Sequence, residues 1–204
     1  KIQKYFEVNV GFPITNLKLR NSKSNNEDTL SEIDSADWVF AGPGSPTYAL
    51  KVWRETGTDL KLKELLNRGT VVMASAAAMS LGAKVMPVYE MYKVGEDPFW
   101  LEGLNLLEAA TGLKAAVIAH YNNNQGGTHD TRFCFVGEKR MLELETKLDS
   151  DTSILGIDEH TGIIFDLEEK CAEVIGKGVV TWRKDGAEKR FEKGTTFSFS
   201  DFRI

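Results

Sequence analysis

The stretch "GTVVMASAAAMSLGAK" (residues 69–84) joins a strand-like run to a helix-like run through a single serine, Ser75. A compact apolar run such as "TVVMA" is typical of a buried strand, and the alanines that follow it favour a helix. Ser75 therefore has two interpretations. It is either an ordinary helix N-cap or a nucleophile exposed on a tight strand-turn-helix connection.

Apolar runs alternate with helical segments on both sides of this stretch. Strands are predicted at "NLKLRN" (16–21), "WVFAG" (38–42), "AAVIAH" (115–120) and, on either side of a turn, within "SILGIDEHTGIIFDL" (153–167). This alternation predicts a parallel α/β sheet with helices on both faces, which is a three-layer sandwich. From Cys171 the pattern changes to hairpins, which predict a C-terminal antiparallel β extension over residues 171–204.

The 204 residues fit one hydrolase-like domain, and 42% hydrophobic residues suit an ordinary packed core. The opening "KIQKYFEV" is typical of the end of an amphipathic helix, so we expect a strand that precedes it to be missing from this chain. Cys134 and Cys171 lie far apart and form no C-x-x-C pair, a pattern that predicts a reduced, cytoplasmic protein.

The charge pattern bears on the partners. The net charge is -5, and no basic run is long enough to follow a phosphate backbone or an anionic membrane surface. No apolar run approaches the roughly 20 residues that cross a bilayer. We therefore expect neither nucleic acid nor a membrane as a partner, and a homodimer stays open.

Four predicted strands end in residues that carry chemistry. Gly44, Ser75, His120 and the pair Asp158 and Glu159 each follow an apolar run, and functional residues of open parallel sheets collect at the carboxyl ends of the strands. A serine hydroxyl needs a base to remove its proton, and the base needs an acid to orient it. The sequence therefore predicts a triad of Ser75, His120 and either Glu159 or Asp158.

Two backbone N–H groups are predicted to hold the oxyanion of such a reaction. A strand-turn-helix elbow directs the N–H of the residue after the nucleophile, here Ala76, at the oxyanion position. The second N–H would come from Gly44 in "GPGSP", where no side chain blocks the approach. The alanines around Ser75 are the small residues that a crowded elbow requires.

Each of these residues also has an ordinary explanation. Ser75 can simply cap the helix, His120 can be a satisfied polar residue at a strand end, and Asp158 and Glu159 can form a solvated turn. A metal site is another alternative, because histidine and carboxylate ligands suit zinc. Its candidates are His120, His129, Asp130, Asp158, Glu159 and His160, but they lack a short ligand spacing and leave Ser75 unexplained.

The sequence resembles a known family through four of these stretches: "WVFAGPGSPTYAL", "GTVVMASAAAMSLGA", "VIAHY" and "LGIDEHTGIIFD". The family is that of the serine peptidases that include aspartyl dipeptidase (peptidase E) and cyanophycinase, on the class I glutamine amidotransferase-like fold. The resemblance implies that Ser75 is the nucleophile, His120 the base and Glu159 the acid, with Gly44 in the oxyanion loop. It implies no cofactor, and serine at the elbow disfavours glutamine hydrolysis.

The chain departs from the family pattern at its elbow and in a loop. Met73 and Ala77 stand where the family has glycines, and Glu90, fifteen residues after Ser75, is a second candidate for the acid. The loop "YNNNQGGTHDTRF" (121–133) is the expected specificity element. The residues from Asn122 to Gln125 offer amide groups, and Arg132 could pair bidentately with a substrate carboxylate or equally neutralise a neighbouring acid, Asp130 or Glu138.

The function expected from these residues is that of a serine hydrolase that cleaves a small peptide or isopeptide bond. The resemblance adds that the bond lies next to an aspartyl residue. The altered elbow motivates an alternative of another class, a non-catalytic amidotransferase-like binding module, and a metal-dependent hydrolase ranks below both.

Overall fold

A computed structural model of the chain describes residues 2–19 and 27–204. The chain divides into two compact units. One comprises the described residues up to Val39 together with Lys51–Val71, and the other comprises Phe40–Leu50 and Val72–Ile204. Whether they fold as the single domain expected from the sequence stays a prediction.

The described part of the chain contains seven α-helices, which we number in chain order. They are α1 Ile2–Tyr5, α2 Glu27–Ser35, α3 Pro46–Thr56, α4 Thr58–Leu65, α5 Ala76–Ser80, α6 Leu106–Thr111 and α7 Gly137–Thr146. Phe6–Val10 and Glu90–Val94 form π-helical turns, and Phe199–Asp201 forms a 3-10 turn. No helix among the described residues is long and apolar enough to cross a membrane.

Eleven strands are found in the same residues. They are β1 Trp38–Ala41, β2 Thr70–Met73, β3 Lys84–Val85, β4 Leu101–Glu102, β5 Ala115–Ile118, β6 Ser153–Ile157, β7 Thr161–Asp166, β8 Cys171–Gly176, β9 Val180–Lys184, β10 Ala187–Phe191 and β11 Thr196–Ser198. Residues 16–19 form no strand, so the strand predicted at "NLKLRN" is absent there, and residues 20 and 21 lie outside the described residues.

The strand pairing is mixed. A four-stranded sheet has the order β10-β9-β6-β5, in which β5 and β6 are parallel and the other pairs antiparallel. Strands β11, β8 and β7 form an antiparallel sheet, while β1 pairs with β2 and β3 pairs with β4. The chain is thus a mixed α/β protein.

The parallel pair β5 and β6 places two site candidates side by side. All four residues of β5 are buried, as are the first four of β6, because both strands run through the core. Their register aligns Ala115 with Ser153 and Ile118 with Gly156. His120 follows β5 and Glu159 follows β6 at the same distance of two residues from the strand end, so both leave the sheet at the same edge.

Candidate active site

Ser75 connects β2 to α5 in a conformation that L-residues rarely adopt. Its φ is 56° and its ψ is −119°, a combination that costs of order 1–3 kcal/mol and persists only where the surroundings impose it. Ser75 stands at the N-cap position of α5, but its side chain makes no capping hydrogen bond. Instead, Ser75 Oγ lies 2.9 Å from His120 Nε2. The geometry therefore fits a nucleophile elbow better than an ordinary cap.

His120 links the serine to a carboxylate. Its Nδ1 lies 3.1 Å from Glu159 Oε1, so the ring carries its proton on Nδ1 when Glu159 is ionised, and Nε2 is then free to accept from Ser75 Oγ. The His120 side chain is 35% exposed and that of Glu159 24% exposed. The site is thus half-buried, with a positive φ of 52° at His120 itself.

Glu159 is held from two sides by the loop that follows His120. Asn123 Nδ2 donates to Glu159 Oε1 at 2.7 Å, and the Glu159 N–H donates to Asn122 Oδ1 at 2.8 Å. The hydrogen bond from Asn123 is the largest of the effects that lower the pKa of Glu159, and partial desolvation works against it. The bond from His120 lowers the pKa further. Glu159 is consequently an anion at neutral pH.

The two other candidate acids are placed differently. Asp158 Oδ2 accepts a hydrogen bond from the Val179 N–H at 3.0 Å, so its carboxylate fixes the backbone between β8 and β9. Glu90 Oε2 is buried and has no hydrogen-bond partner among the described residues. Of the three acids predicted from the sequence, Glu159 is the one that contacts His120.

The two predicted oxyanion donors have free N–H groups. Within residues 2–19 and 27–204, no hydrogen bond is made by the N–H of Gly44 or of Ala76. Ala76 is the first residue of α5 and Gly44 precedes α3, where Ser45 Oγ accepts from the Tyr48 N–H as the predicted cap. A Cβ at Gly44 would meet no atom within 4 Å. Glycine is therefore not required there by local crowding.

The predicted specificity residues have partners within the protein. Arg132 pairs bidentately with Asp130, through Nε at 3.0 Å and Nη2 at 2.8 Å, and Nη2 also lies 2.8 Å from Glu138. These contacts raise the pKa of Arg132 and hold that of Asp130 well below its usual range. Asn122 binds the Glu159 N–H, and Gln125 is exposed while its own N–H donates to Asn123 Oδ1.

A left-handed turn over residues 133–135 contacts His120. Phe133, Cys134 and Phe135 all have positive φ, between 56° and 71°, at a cost of roughly 1–2 kcal/mol each. The Cys134 N–H donates to the His120 carbonyl at 3.1 Å. The Phe135 ring centroid lies 6.5 Å from that of His120 and 5.5 Å from that of Tyr92. The strained turn fixes the position of His120 and places an aromatic ring beside it.

Among the described residues, the buried thiol of Cys134 and the candidate metal ligands offer no rival chemistry. Cys134 is buried, and desolvation raises the pKa of its thiol to about 12, which leaves it protonated and unreactive. No group of three or more His, Cys, Asp or Glu side chains in the described ranges could hold a metal ion. The sequence placed Asn123 among the amide side chains of the specificity loop but did not assign it to Glu159, because that role depends on a contact 36 residues away along the chain.

Comparison with known proteins identifies the family of the chain. The model of peptidase family S51 matches residues 1–172, whereas no curated protein matches the chain. A crystal structure of a peptidase from an acI-B1 Actinobacterium is similar with a TM-score of 0.70 and 18% identity, over 96% of this chain and 73% of that one. A crystal structure of a candidate peptidase E protein from Listeria monocytogenes EGD-e is similar with a TM-score of 0.52 and 16% identity, over 90% of this chain and 73% of that one.

The two structures support the fold, and the family match supports the class of enzyme. It extends over most of the chain, including Ser75, His120 and Glu159. The protein accordingly belongs to peptidase family S51, and it is a hydrolase of the serine peptidase class.

Proposed function

We propose that Ser75, His120 and Glu159 form the catalytic triad of this peptidase. The observation that carries the proposal is the unbroken chain of hydrogen bonds from Ser75 Oγ through His120 to Glu159 Oε1, at 2.9 and 3.1 Å. It joins residues on three separate segments, and it engages the serine hydroxyl that would otherwise cap α5.

The geometry supports a sequence of proton transfers. His120 Nε2 accepts the proton of Ser75 Oγ as the oxygen attacks the carbonyl carbon, and later delivers it to the leaving amine. Glu159 keeps the imidazole in the required tautomer and stabilises the imidazolium. The free N–H groups of Ala76 and Gly44 are the proposed donors to the oxyanion. A water molecule then attacks the acyl carbonyl carbon while His120 Nε2 takes one of its protons. The bond to Ser75 Oγ breaks, and His120 returns the proton to that oxygen.

We further propose a small peptide or isopeptide as the substrate, with an aspartyl residue at the cleavage point. Arg132 binds Asp130 and Glu138 through Nε and Nη2, so a substrate carboxylate would have to use Nη1 or displace an acid. Cleavage of a panel of dipeptides and isopeptides, with Asp or Asn before the bond, assigns the preference.

The three-layer arrangement of the whole chain remains a prediction.

The triad is tested by the substitution Ser75→Ala. A fluorophosphonate probe labels a serine only when a base activates it, so we expect the protein to label at Ser75 and the variant not to label. Peptide hydrolysis should fall by about 10⁴-fold or more, while circular dichroism stays unchanged. Ser31→Ala, on an exposed part of α2, is the control and should retain full labelling. A folded wild-type protein that never labels would instead indicate the non-catalytic binding module.

A further inference from the structure

We propose that Asn123 is a positioning residue of the active site, which acts on His120 through Glu159. This inference rests on the proposed triad. The Asn123 side chain donates to the same carboxylate oxygen, Glu159 Oε1, that contacts His120 Nδ1, at 2.7 Å against 3.1 Å.

The burial of Asn123 indicates a fixed role. The residue is 1% exposed, and a buried amide is costly unless its donors and acceptors are satisfied. Asn123 Oδ1 accepts from the Gln125 N–H at 3.2 Å. This bond fixes the orientation of the amide, since the oxygen faces a donor and the nitrogen must then face Glu159. Asn123 therefore presents an N–H group, rather than an oxygen, to the carboxylate.

The backbone of Asn123 is anchored at the same place. Its N–H donates to the His120 carbonyl at 3.1 Å, and its carbonyl accepts from Thr131 Oγ1 at 3.3 Å. The Asn122 side chain takes the Glu159 N–H in addition. The segment from His120 to Asn123 thus grips both the backbone and the side chain of Glu159.

An amide suits this position because it donates without titrating. It limits the carboxylate to one rotamer and withdraws negative charge from Oε1 without competing for the proton on His120 Nδ1. A lysine there would neutralise the acid, and a hydroxyl could turn away. The expected consequence is that Asn123 determines both the rate of proton transfer and the pH at which His120 becomes an effective base.

The substitution Asn123→Asp isolates this donor. Aspartate has the same shape and keeps the oxygen that accepts from the Gln125 N–H, so the donor to Glu159 is the group that is lost. Asn67→Asp is the matched control, because it makes the same change of charge at an exposed side chain outside the loop 121–133. The readout is the rate of fluorophosphonate labelling of Ser75 as a function of pH, which requires no known substrate.

We expect Asn123→Asp to label about 10- to 100-fold more slowly, less than the roughly 10⁴-fold that loss of the orienting acid itself costs. The added negative charge favours the imidazolium, so the acidic limb of the pH profile should move to higher pH. Asn67→Asp should retain the wild-type rate and limb. Because a buried aspartate can prevent folding, Asn123→Ala is the second variant, and when folded it should also label at least about 10-fold more slowly.

The outcomes separate this inference from the proposed triad. An unchanged pH profile in folded Asn123→Asp, or a wild-type labelling rate in folded Asn123→Ala, overturns the role of Asn123 and leaves the triad intact. Absence of labelling in the wild type contradicts the triad. In that case, NMR titration of the His120 ring in wild type, Asn123→Asp and Asn67→Asp still tests the coupling, and equal titration in all three overturns it.

Discussion

Ser75 has an intrinsic preference for capping α5, and yet its side chain binds His120. A cap of this kind contributes about 1 kcal/mol, and the backbone at Ser75 is strained in addition. The tertiary contact must therefore outweigh both effects. The neighbouring acids Glu159 and Asp158 likewise differ in their tertiary partners. Glu159 contacts the imidazole of His120, whereas Asp158 accepts from the Val179 N–H.

We expect substitution of Glu159 and substitution of Asp158 to have different effects on the labelling rate of Ser75. Glu159→Gln removes the charge that stabilises the imidazolium, and we expect the labelling rate of Ser75 to fall by about 10³- to 10⁴-fold. Asp158→Asn keeps an oxygen for the Val179 N–H, so its rate should stay within about threefold of the wild type. Stopped-flow labelling of both variants at pH 8 measures the difference, and the reverse ranking would show that Asp158 orients His120.

Secondary-structure elements supply the site with its alignment. The register of β5 and β6 delivers His120 and Glu159 to one edge, and Gly156 in β6 allows the Tyr121 ring to lie against the strand. A Cβ at Gly156 would come within 2.4 Å of Tyr121 Cδ2. On the serine side, Ser75 has the positive φ that a nucleophile elbow needs, with Met73 and Ala77 on either side of it.

The effect of Ala77 on the elbow can be measured directly. Ala77 is 2% exposed and its N–H donates to the Ala74 carbonyl at 3.2 Å. Because the turn is already formed, Ala77→Gly should leave the labelling rate unchanged and lower the free energy of unfolding by about 1 kcal/mol, the helix cost of glycine. Urea denaturation measures the stability, and Ala78→Gly on the same helix should lose a similar amount. A large gain in labelling rate would mean that alanine crowds the elbow.

At the scale of the unit that contains the site, one buried ion pair connects α7 to the sheet. Arg183 in β9 contacts Glu145 in α7 at 2.6 Å and Glu188 in β10 at 2.8 Å. The side chains of Arg183 and Glu145 are 11% and 9% exposed. Burial by itself would raise the pKa of Glu145, but the bonds from Arg183 and the Gly186 N–H overcome this and lower it.

Glu145→Gln leaves Arg183 buried with one acidic partner, so we expect the free energy of unfolding to fall by about 2–3 kcal/mol at pH 7, somewhat less than the roughly 3–5 kcal/mol lost when a buried charge keeps no partner. A lowered pKa in the folded state stabilises the protein above the unfolded pKa of about 4.3. This stability is lost as the pH falls through the folded pKa.

The difference between Glu145→Gln and the wild type should therefore narrow when urea denaturation is repeated well below pH 4. Glu143→Gln, in the exposed pair with Lys147 on the same helix, is the control and should change stability by less than about 0.5 kcal/mol. A constant difference at all pH values would contradict the assigned role of Glu145.

Local sequence patterns determined the elements and the chemistry of this protein. The alternation around residues 69–84 predicted the strand, the turn and the helix, and the residues that follow apolar runs predicted Ser75, His120 and Glu159 as candidates. Such patterns act over a few residues, because periodicity and capping are properties of neighbouring side chains. They failed at residues 16–19, where the predicted strand did not form.

Tertiary structure decided which candidates meet. The partners of His120 lie 45 and 39 residues away along the chain, and the register of β5 and β6 brings Glu159, rather than Glu90, to the imidazole. The same folding buried Asn123 against Glu159 and paired Arg132 with Asp130 and Glu138. These contacts depend on how distant segments of the chain pack together. The residues next to each of these side chains in the sequence do not determine them.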